Sequence, residues 1–210
     1  MSPRAASLDA LGLRVREALV EAMRILHDRG LVNLRGGNAS ARVDLPYGVT
    51  YIYITPSARP KHRLNPLDIA VMGLDGSVVE GRPSSEYRLH LAVYRARGDV
   101  RAVVHAHNPL TVAVARLGLH EKLVEASVEA KFYIGGCVAL VGFHEPGTQE
   151  LAEAAARALQ KCNAAILENH GAVAVGLSRD PVEAVYEAVD RLEALEDTAR
   201  IVLAEKGCRF

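Results

Sequence analysis

The sequence predicts a single-domain α/β protein in which helices pack around a mixed β-sheet. Segments with an apolar residue at every third or fourth position, typical of amphipathic helices, alternate with short β-branched runs typical of strands. The chain has 210 residues, half of them apolar, which is enough for one sizeable core. No internal repeat or linker divides it, so we expect one domain over residues 1–210.

The first half of the chain begins with a helix and continues with short strands. Apolar residues at helical spacing predict a helix over residues 7–30. The β-branched and aromatic run at residues 49–54 predicts a strand, and residues 69–79 predict a hairpin around an Asp-Gly turn. After Ser84 and Ser85 a helix runs to about Arg97, with one edge apolar.

The second half of the chain alternates helices and strands more regularly. An apolar strand at residues 102–104 leads into His105. The last helix is the clearest, because Asp180 suits its N-cap and Pro181 its first position. Between these two elements the pattern predicts a helix at 109–117, a strand at 137–141, a helix at 147–162 and strands at 164–167 and 172–175.

Charge and cysteine content exclude several classes of protein. Twenty-five basic residues balance 25 acidic ones, so no overall field would attract nucleic acid or a membrane surface. Cys137, Cys162 and Cys208 are odd in number and form no C-x-x-C pair, which argues against a disulfide framework and a sulfur-ligated zinc. No run approaches the roughly 20 apolar residues of a membrane span. We therefore expect a cytoplasmic protein.

Three histidines are candidate metal ligands. His105 and His107 are two residues apart in a predicted strand, so both imidazoles leave the same face. Imidazole is a common zinc ligand, and a catalytic zinc usually takes three protein ligands. His170, followed by a glycine, is the best-placed third ligand. Alone, however, an H-x-H pair is more often a pair of partly buried or surface histidines.

Several polar residues fit either a structural or a ligand-binding role. Glu86 lies in the first turn of a predicted helix, where the helix dipole favours a negative charge. Ser84 and Ser85 either cap that helix or face a phosphate at its positive end. The glycine-rich turn at residues 36–40 lets backbone amides approach an anion. It has neither the G-x-x-x-x-G-K pattern of a nucleotide-binding loop nor the G-x-G-x-x-G pattern of a dinucleotide fold, so nucleotide binding is disfavoured. Residues 55–57 alone would be a structural turn.

These motifs, in this order, resemble the class II aldolase and adducin-head family, and within it the aldolases that cleave L-fuculose 1-phosphate. The resemblance covers nearly the whole chain and rests on five spaced motifs. They are Gly37-Asn38-Ala39-Ser40, Thr55-Pro56-Ser57, Ser84-Ser85-Glu86-Tyr87-Arg88-Leu89-His90, His105-Ala106-His107 and Asn169-His170-Gly171. The fold it implies is an α/β/α sandwich around a mixed, largely antiparallel central sheet.

The resemblance also implies a set of site residues and a reaction. One Zn²⁺ per subunit would bind His105, His107 and His170, with Mn²⁺ or Co²⁺ as alternatives. Glu86 would bind the metal in the resting enzyme and then act as acid and base on the enediolate that the metal stabilises. The phosphate of a small sugar substrate would bind Gly37, Asn38, Ser57, Ala58, Ser84 and Ser85. The assembly would be a homotetramer.

The family leaves alternatives open. The same scaffold supports sugar-phosphate 4-epimerases, methylthioribulose-phosphate dehydratases, decarboxylases and non-catalytic adducin-like modules. Family epimerases usually have aspartate at the position of Glu86, which favours aldol chemistry here. The family aldolases also use a tyrosine of a neighbouring subunit to protonate the aldehyde, and here Tyr133 and Glu129 both lie near the matching position.

Overall fold

A computed structural model describes residues 3–208, except for the side chains of residues 3–9 and of Tyr47. The α-helices are α1 (Pro3–Asp28), α2 (Tyr87–Ala96), α3 (Pro109–Arg116), α4 (Gln149–Leu159) and α5 (Pro181–Glu205). The strands are β1 (Asn38–Asp44), β2 (Thr50–Ile54), β3 (Ala70–Gly73), β4 (Val78–Glu80), β5 (Ala102–Ala106), β6 (Val138–Val141), β7 (Ala164–Leu167) and β8 (Gly171–Gly176). Within the described residues, no helix is long and apolar enough to cross a membrane.

All eight strands belong to one sheet, in the order β4-β3-β2-β1-β5-β8-β7-β6. Every neighbouring pair is antiparallel except β6 and β7, which run parallel. The parallel pair needs a crossover, and α4 provides it. The sheet is therefore mixed and largely antiparallel, as the sequence predicts.

Helices cover both faces of the sheet, so the protein is an α/β/α sandwich. Alternate residues of each strand enter different cores because side chains alternate across a strand. On β5, Ala102 and Val104 pack with α1, α3 and α5, whereas Val103 packs with α2 and α4. Apolar residues of the helices and strands form both cores, which explains why the apolar runs in the sequence identify these elements.

Most of the predicted elements are present, but strand β1 was not predicted. The hairpin is formed by β3 and β4, with Gly76 at a positive φ of +99° in its turn, and Asp180 caps α5 by accepting from the Val182 amide. The sequence predicts a turn at residues 36–40, whereas Asn38 already begins β1. Polar Asn38 and Ser40 obscure this strand because their side chains enter a polar site.

The cysteine prediction is wrong, because Cys137 and Cys162 form a disulfide. The residues are 25 positions apart in sequence. They meet because β6 and β7 are adjacent parallel strands whose first residues, Val138 and Ala164, are paired. This pairing is set by the sheet and is not visible in cysteine spacing. Cys208 is free and exposed, and the expectation of a cytoplasmic protein loses its support from the cysteines.

Candidate active site

The centre of the sheet presents a row of polar side chains to helix α2. Asn38 of β1 pairs with His105 of β5, and Ser40 pairs with Val103 in the same ladder. The intervening Ala39 and Val104 enter the opposite core. The strand period therefore places Asn38, Ser40 and His105 on one face, although all three are fully or almost fully buried.

The structure brings the three predicted histidines together. His105 lies in β5, His107 directly follows that strand, and His170 lies in the turn between β7 and β8. Each offers a ligand atom, and these atoms all lie within 4.8 Å of one another. The three imidazoles are therefore candidate ligands of a single cation.

Two glycines allow this close approach. A Cβ on Gly171 would lie 2.1 Å from the Ala106 carbonyl oxygen and 2.8 Å from the His107 Cα, so only glycine lets β8 close on β5 here. Gly37 has φ +69°, and a Cβ there would lie 2.9 Å from the His105 carbonyl oxygen. The glycines of both motifs thus serve the histidine cluster.

Glu86 extends from the start of α2 towards the histidines. Its carboxylate lies 3.6 Å from His105 Nε2 and 3.8 Å from His170 Nε2. Glu86 is the residue just before the helix, not a member of its first turn as the sequence suggested. Burial alone would raise the pKa of Glu86, but His105, His170 and a 2.8 Å hydrogen bond from Asn38 Nδ2 outweigh it and lower that pKa. The carboxylate is therefore ionised.

The donor set fits a divalent metal ion. His105 Nδ1–H donates to the Ala172 carbonyl at 2.9 Å, which leaves the lone pair of Nε2 facing the cluster. Within the described part of the chain, buried His105 Nε2 and Glu86 Oε1 have no hydrogen-bond partner. Burial lowers the pKa of His105 to about 4, so its imidazole is neutral at pH 7 and free to bind a metal. A cation would satisfy both orphaned atoms.

A buried chain of hydrogen bonds leads from Glu86 into the core. Asn38 Nδ2 donates to Glu86, His90 Nε2 contacts Asn38 Oδ1, and Ser40 Oγ lies 2.7 Å from His90 Nδ1 and 2.8 Å from the Tyr94 hydroxyl. With neutral His90 donating from Nε2, every donor in the chain points towards Glu86. Burial lowers the pKa of His90 to about 3, which keeps it neutral.

A cavity of about 220 Å³ adjoins the histidine cluster. Glu86 and His107 line it, together with all six residues predicted to bind phosphate. These six are Gly37, Asn38, Ser57, Ala58, Ser84 and Ser85. Its wall also includes Lys61, a buried lysine that the sequence analysis did not identify. Lys61-His62-Arg63 resembles an exposed basic run, so no signal in the sequence alone marks Lys61 as buried.

Ala58 adopts an unusual backbone conformation in this cavity. Its φ is +58°, in the left-handed region that glycine tolerates and an L-residue with a Cβ does not favour. Alanine at this position therefore introduces backbone strain beside the site.

Tyr133 and Glu129 lie in another cavity. They line a space of about 260 Å³ against α5, with Arg29 and Asp197 among the other lining residues. Neither side chain lines the cavity beside the histidines. Within one subunit, the structure therefore does not bring either candidate to Glu86.

Comparison with known proteins is consistent with this site. Residues 17–203 match the model of the class II aldolase and adducin N-terminal domain family. The chain belongs to the class II aldolase family. Over 188 residues, which is 90% of this chain and 95% of the relative, it is 32% identical to an L-fuculose phosphate aldolase of Methanocaldococcus jannaschii. Members of this family are typically metal-dependent enzymes.

Solved structures and other relatives extend the comparison. The crystal structure of L-fuculose-1-phosphate aldolase from Thermus thermophilus superposes with a TM-score of 0.80 at 33% identity, covering 92% of this chain and 94% of that one. A relative of different activity, the 3-oxo-tetronate 4-phosphate decarboxylase of Escherichia coli, is 30% identical over 93% of this chain and 90% of its own length. The relatives of this chain thus catalyse more than one reaction.

Proposed function

We propose that this class II aldolase family member is a zinc-dependent enzyme that reversibly cleaves a ketose 1-phosphate, similar to L-fuculose 1-phosphate, into dihydroxyacetone phosphate and a short aldehyde. The observation that carries the proposal is the convergence of His105, His107 and His170 within 4.8 Å, with the Glu86 carboxylate beside them. The L-fuculose phosphate aldolases among its relatives support the substrate class.

The three imidazoles would hold the cation, and Glu86 would be a fourth ligand in the resting enzyme. Zinc is favoured by the nitrogen donors, although Mn²⁺ or Co²⁺ also suits such a site. When bound, the metal supplies a Lewis acid for the oxygen atoms of the substrate. The hydrogen bond between His105 Nδ1–H and the Ala172 carbonyl orients the ring for this role.

Glu86 would transfer the proton of the reaction. Cleavage of the bond between C3 and C4 of the ketose leaves the bonding electron pair on C3 and turns the C4 hydroxyl into the aldehyde carbonyl, and the hydroxyl proton passes to the group that a neighbouring subunit supplies. The Glu86 carboxylate, after taking up a proton from solvent, would give that proton to C3 and so release dihydroxyacetone phosphate. In the condensation direction the carboxylate removes the same proton. Asn38, whose side-chain oxygen contacts His90, donates to Glu86 Oε2 and leaves Oε1 to exchange the proton.

The cavity beside Glu86 would bind the substrate phosphate. Gly37, Asn38, Ser57, Ala58, Ser84 and Ser85 line it and offer backbone amides and neutral side-chain donors. A phosphate held there fixes the distance between the reacting carbons and Glu86. Binding energy from this remote group is then used to orient the reacting centre.

The assembly and location follow from the same proposal. We expect a homotetramer in which a neighbouring subunit supplies the group that protonates the aldehyde. Tyr133 is 46% exposed, so it is free to reach a neighbour's site in such an assembly. A cytoplasmic location remains part of the proposal.

A direct assay tests the reaction. The zinc-loaded protein is mixed with a panel of ketose 1-phosphates, and release of dihydroxyacetone phosphate is followed with a coupled dehydrogenase. We expect release with at least one member of the panel and a loss of at least a hundredfold in kcat for Glu86→Gln. Glu205→Gln, an exposed change in α5, is the matched control. Absence of triose phosphate with every ketose 1-phosphate would contradict the aldolase assignment.

The second candidate is a decarboxylase acting on a phosphorylated 3-oxo acid. The relative of that activity in Escherichia coli, which shares 30% identity, supports it. It would use the same histidines and phosphate cavity but release carbon dioxide in place of an aldehyde. Product analysis by NMR separates the two reactions, and would also detect an epimerised or dehydrated sugar phosphate.

If no reaction occurs and the folded protein binds no zinc, a non-catalytic role of the adducin type is favoured.

A further inference from the structure

Lys61 is a buried lysine in the wall of the cavity next to Glu86. Only 2% of it is exposed, and its Nζ donates to the Pro56 carbonyl at 2.8 Å. Among the described side chains, no carboxylate forms an ion pair with it. The backbone amide of Lys61 donates to the Leu34 carbonyl, which anchors the residue beneath the glycine-rich turn.

A buried ammonium with a single carbonyl partner is unusual. Moving a charged group out of water is costly unless an opposite charge or several hydrogen bonds compensate it. Lysine has three N–H donors, and here one has a protein acceptor. The remaining N–H donors belong to the ammonium group of Lys61, and Lys61 lines a cavity large enough for a phosphate.

The other groups of the cavity lack the charge that a phosphate dianion requires. Ser57, Ser84 and Ser85 are neutral donors, and Glu86 is an anion that would repel a phosphate. Arg35 also lines the cavity, but it is exposed, so water screens its charge. Lys61 is therefore the buried cation of this cavity.

We propose that the Lys61 ammonium binds the phosphate group of the substrate and makes the enzyme selective for phosphorylated over unphosphorylated ketoses. The identity of the substrate rests on the proposed function, whereas binding of a phosphate monoester does not. The positive charge of Lys61 also offsets the repulsion between the phosphate and the Glu86 carboxylate. Burial lowers the pKa of Lys61 to about 8 while Glu86 opposes the decrease, so the amine is mostly protonated at pH 7.

A purely structural role is the competing explanation. Lys61 would then only hold the Pro56 carbonyl and so stabilise the loop that carries Ser57 and Ala58. Two substitutions separate the explanations. Lys61→Gln retains an N–H donor for the carbonyl but removes the charge, and Lys61→Met removes both. Lys122→Met, at an exposed lysine outside the cavity, is the matched control, and Arg35→Met tests the exposed cation.

Binding of methyl phosphate to the zinc-loaded protein tests the proposal without the reaction. By isothermal titration calorimetry, we expect Lys61→Gln and Lys61→Met each to raise the dissociation constant at least tenfold. Lys122→Met should leave it unchanged, and Arg35→Met should raise it by less than threefold. Circular dichroism establishes which variants are folded, and Lys61→Gln provides the result if Lys61→Met does not fold. Wild-type affinity in Lys61→Gln, or no binding of methyl phosphate to the wild type, would overturn the proposal.

Kinetics then tests selectivity. For the ketose 1-phosphate, we expect Lys61→Gln to raise KM at least tenfold, and for the matching unphosphorylated ketose we expect kcat/KM to stay within twofold. An equal loss with both substrates would mean that Lys61 acts on the fold of the site, which contradicts the proposal. If the wild type binds methyl phosphate through Lys61 but cleaves no ketose 1-phosphate, the phosphate site stands and the aldolase assignment fails.

Discussion

At the scale of single residues, His90 is the central link between the core and the acid/base candidate. It is fully buried in α2, it contacts Asn38 on one side and Ser40 on the other, and Asn38 donates to Glu86. The Asn38 amide has two possible orientations, and only one places its NH₂ group on Glu86. His90 selects this orientation because its Nε2–H requires the amide oxygen.

Replacement of His90 should therefore lower the reaction rate more than substrate affinity. We expect His90→Ala to decrease kcat about tenfold, because outer partners of a site typically contribute 10- to 100-fold, with little change in KM. Tyr94→Phe removes only the far end of the chain and should have a smaller effect. Steady-state kinetics on both variants measures this. Equal losses in the two variants would indicate a general weakening of the core instead of the loss of amide orientation.

The backbone strain at Ala58 can be measured directly. Because its φ of +58° disfavours a side chain by about 1–2 kcal/mol, Ala58→Gly should remove that strain. The additional freedom of glycine in the unfolded chain costs about 0.4–1 kcal/mol. We thus expect a net stabilisation between about 0 and about 1.6 kcal/mol in urea unfolding. Ala152→Gly, at a buried position of helix α4, should instead destabilise the protein.

At the residue scale, the sequence carries a signal only where local geometry determines which side chains lie together. The two-residue spacing of His105 and His107 indicates that their imidazoles leave one face of the strand. The glycine after His170 and the family motif both indicate that His170 joins them. Lys61 was missed because its burial depends on contacts with residues 34 and 56, which lie in other segments of the chain. Sequence patterns of one segment do not contain this information.

At the scale of secondary structure elements, a buried glutamate joins the start of α3 to α5. Glu196 accepts hydrogen bonds from the Leu110 amide and from both the amide and the hydroxyl of Thr111, at 2.9 to 3.0 Å. It therefore caps α3 from another helix, since Asn108 makes no side-chain cap there. Helix α3 begins directly after the His107 segment, so this cap also holds the end of β5.

Loss of this interhelical cap should destabilise the protein. We expect Glu196→Gln to lower the free energy of unfolding by about 1–3 kcal/mol, because an amide replaces the carboxyl group that accepts three hydrogen bonds. Glu205→Gln, exposed near the end of the same helix, should change it by less than about 0.5 kcal/mol. Chemical denaturation monitored by circular dichroism provides the comparison. Similar values for the two variants would refute the capping role.

Prediction of elements was limited by contacts between them. The helices were recognised from the apolar period because each packs one face against the sheet. Strand β1 was assigned to a turn because Asn38 and Ser40 face the polar site and so remove the apolar alternation. The Cys137–Cys162 bond was missed because it depends on the pairing of β6 with β7. The same dependence on neighbours also explains the unpredicted role of Glu196.

At the scale of the whole molecule, the candidate ligands come from three separate parts of the fold. His105 and His107 lie at the end of β5, His170 lies between β7 and β8, and Glu86 precedes α2. A cation bound to all of them would connect both halves of the sheet to the layer that contains α2. Metal binding and global stability should therefore be linked.

Removal of the metal should lower thermal stability. With free Zn²⁺ at a hundredfold excess over its dissociation constant, the stabilisation is about 2.7 kcal/mol. We expect a chelator to abolish this gain and to lower the Tm of the wild type, as measured by calorimetry. His170→Ala should have a Tm that responds much less to either zinc or chelator. An unchanged wild-type Tm after chelation, with zinc loss verified by elemental analysis, would argue against a site formed by these elements.

The position of β8 between β5 and β7 has a consequence for biosynthesis. During translation, residues 102–106 leave the ribosome well before residues 171–176, which form their neighbouring strand. Until the later segment emerges, one edge of β5 has unpaired amides and carbonyls and is open to pairing with another nascent chain. The histidine cluster cannot assemble before that moment, so the site forms as one of the last events in the maturation of the polypeptide.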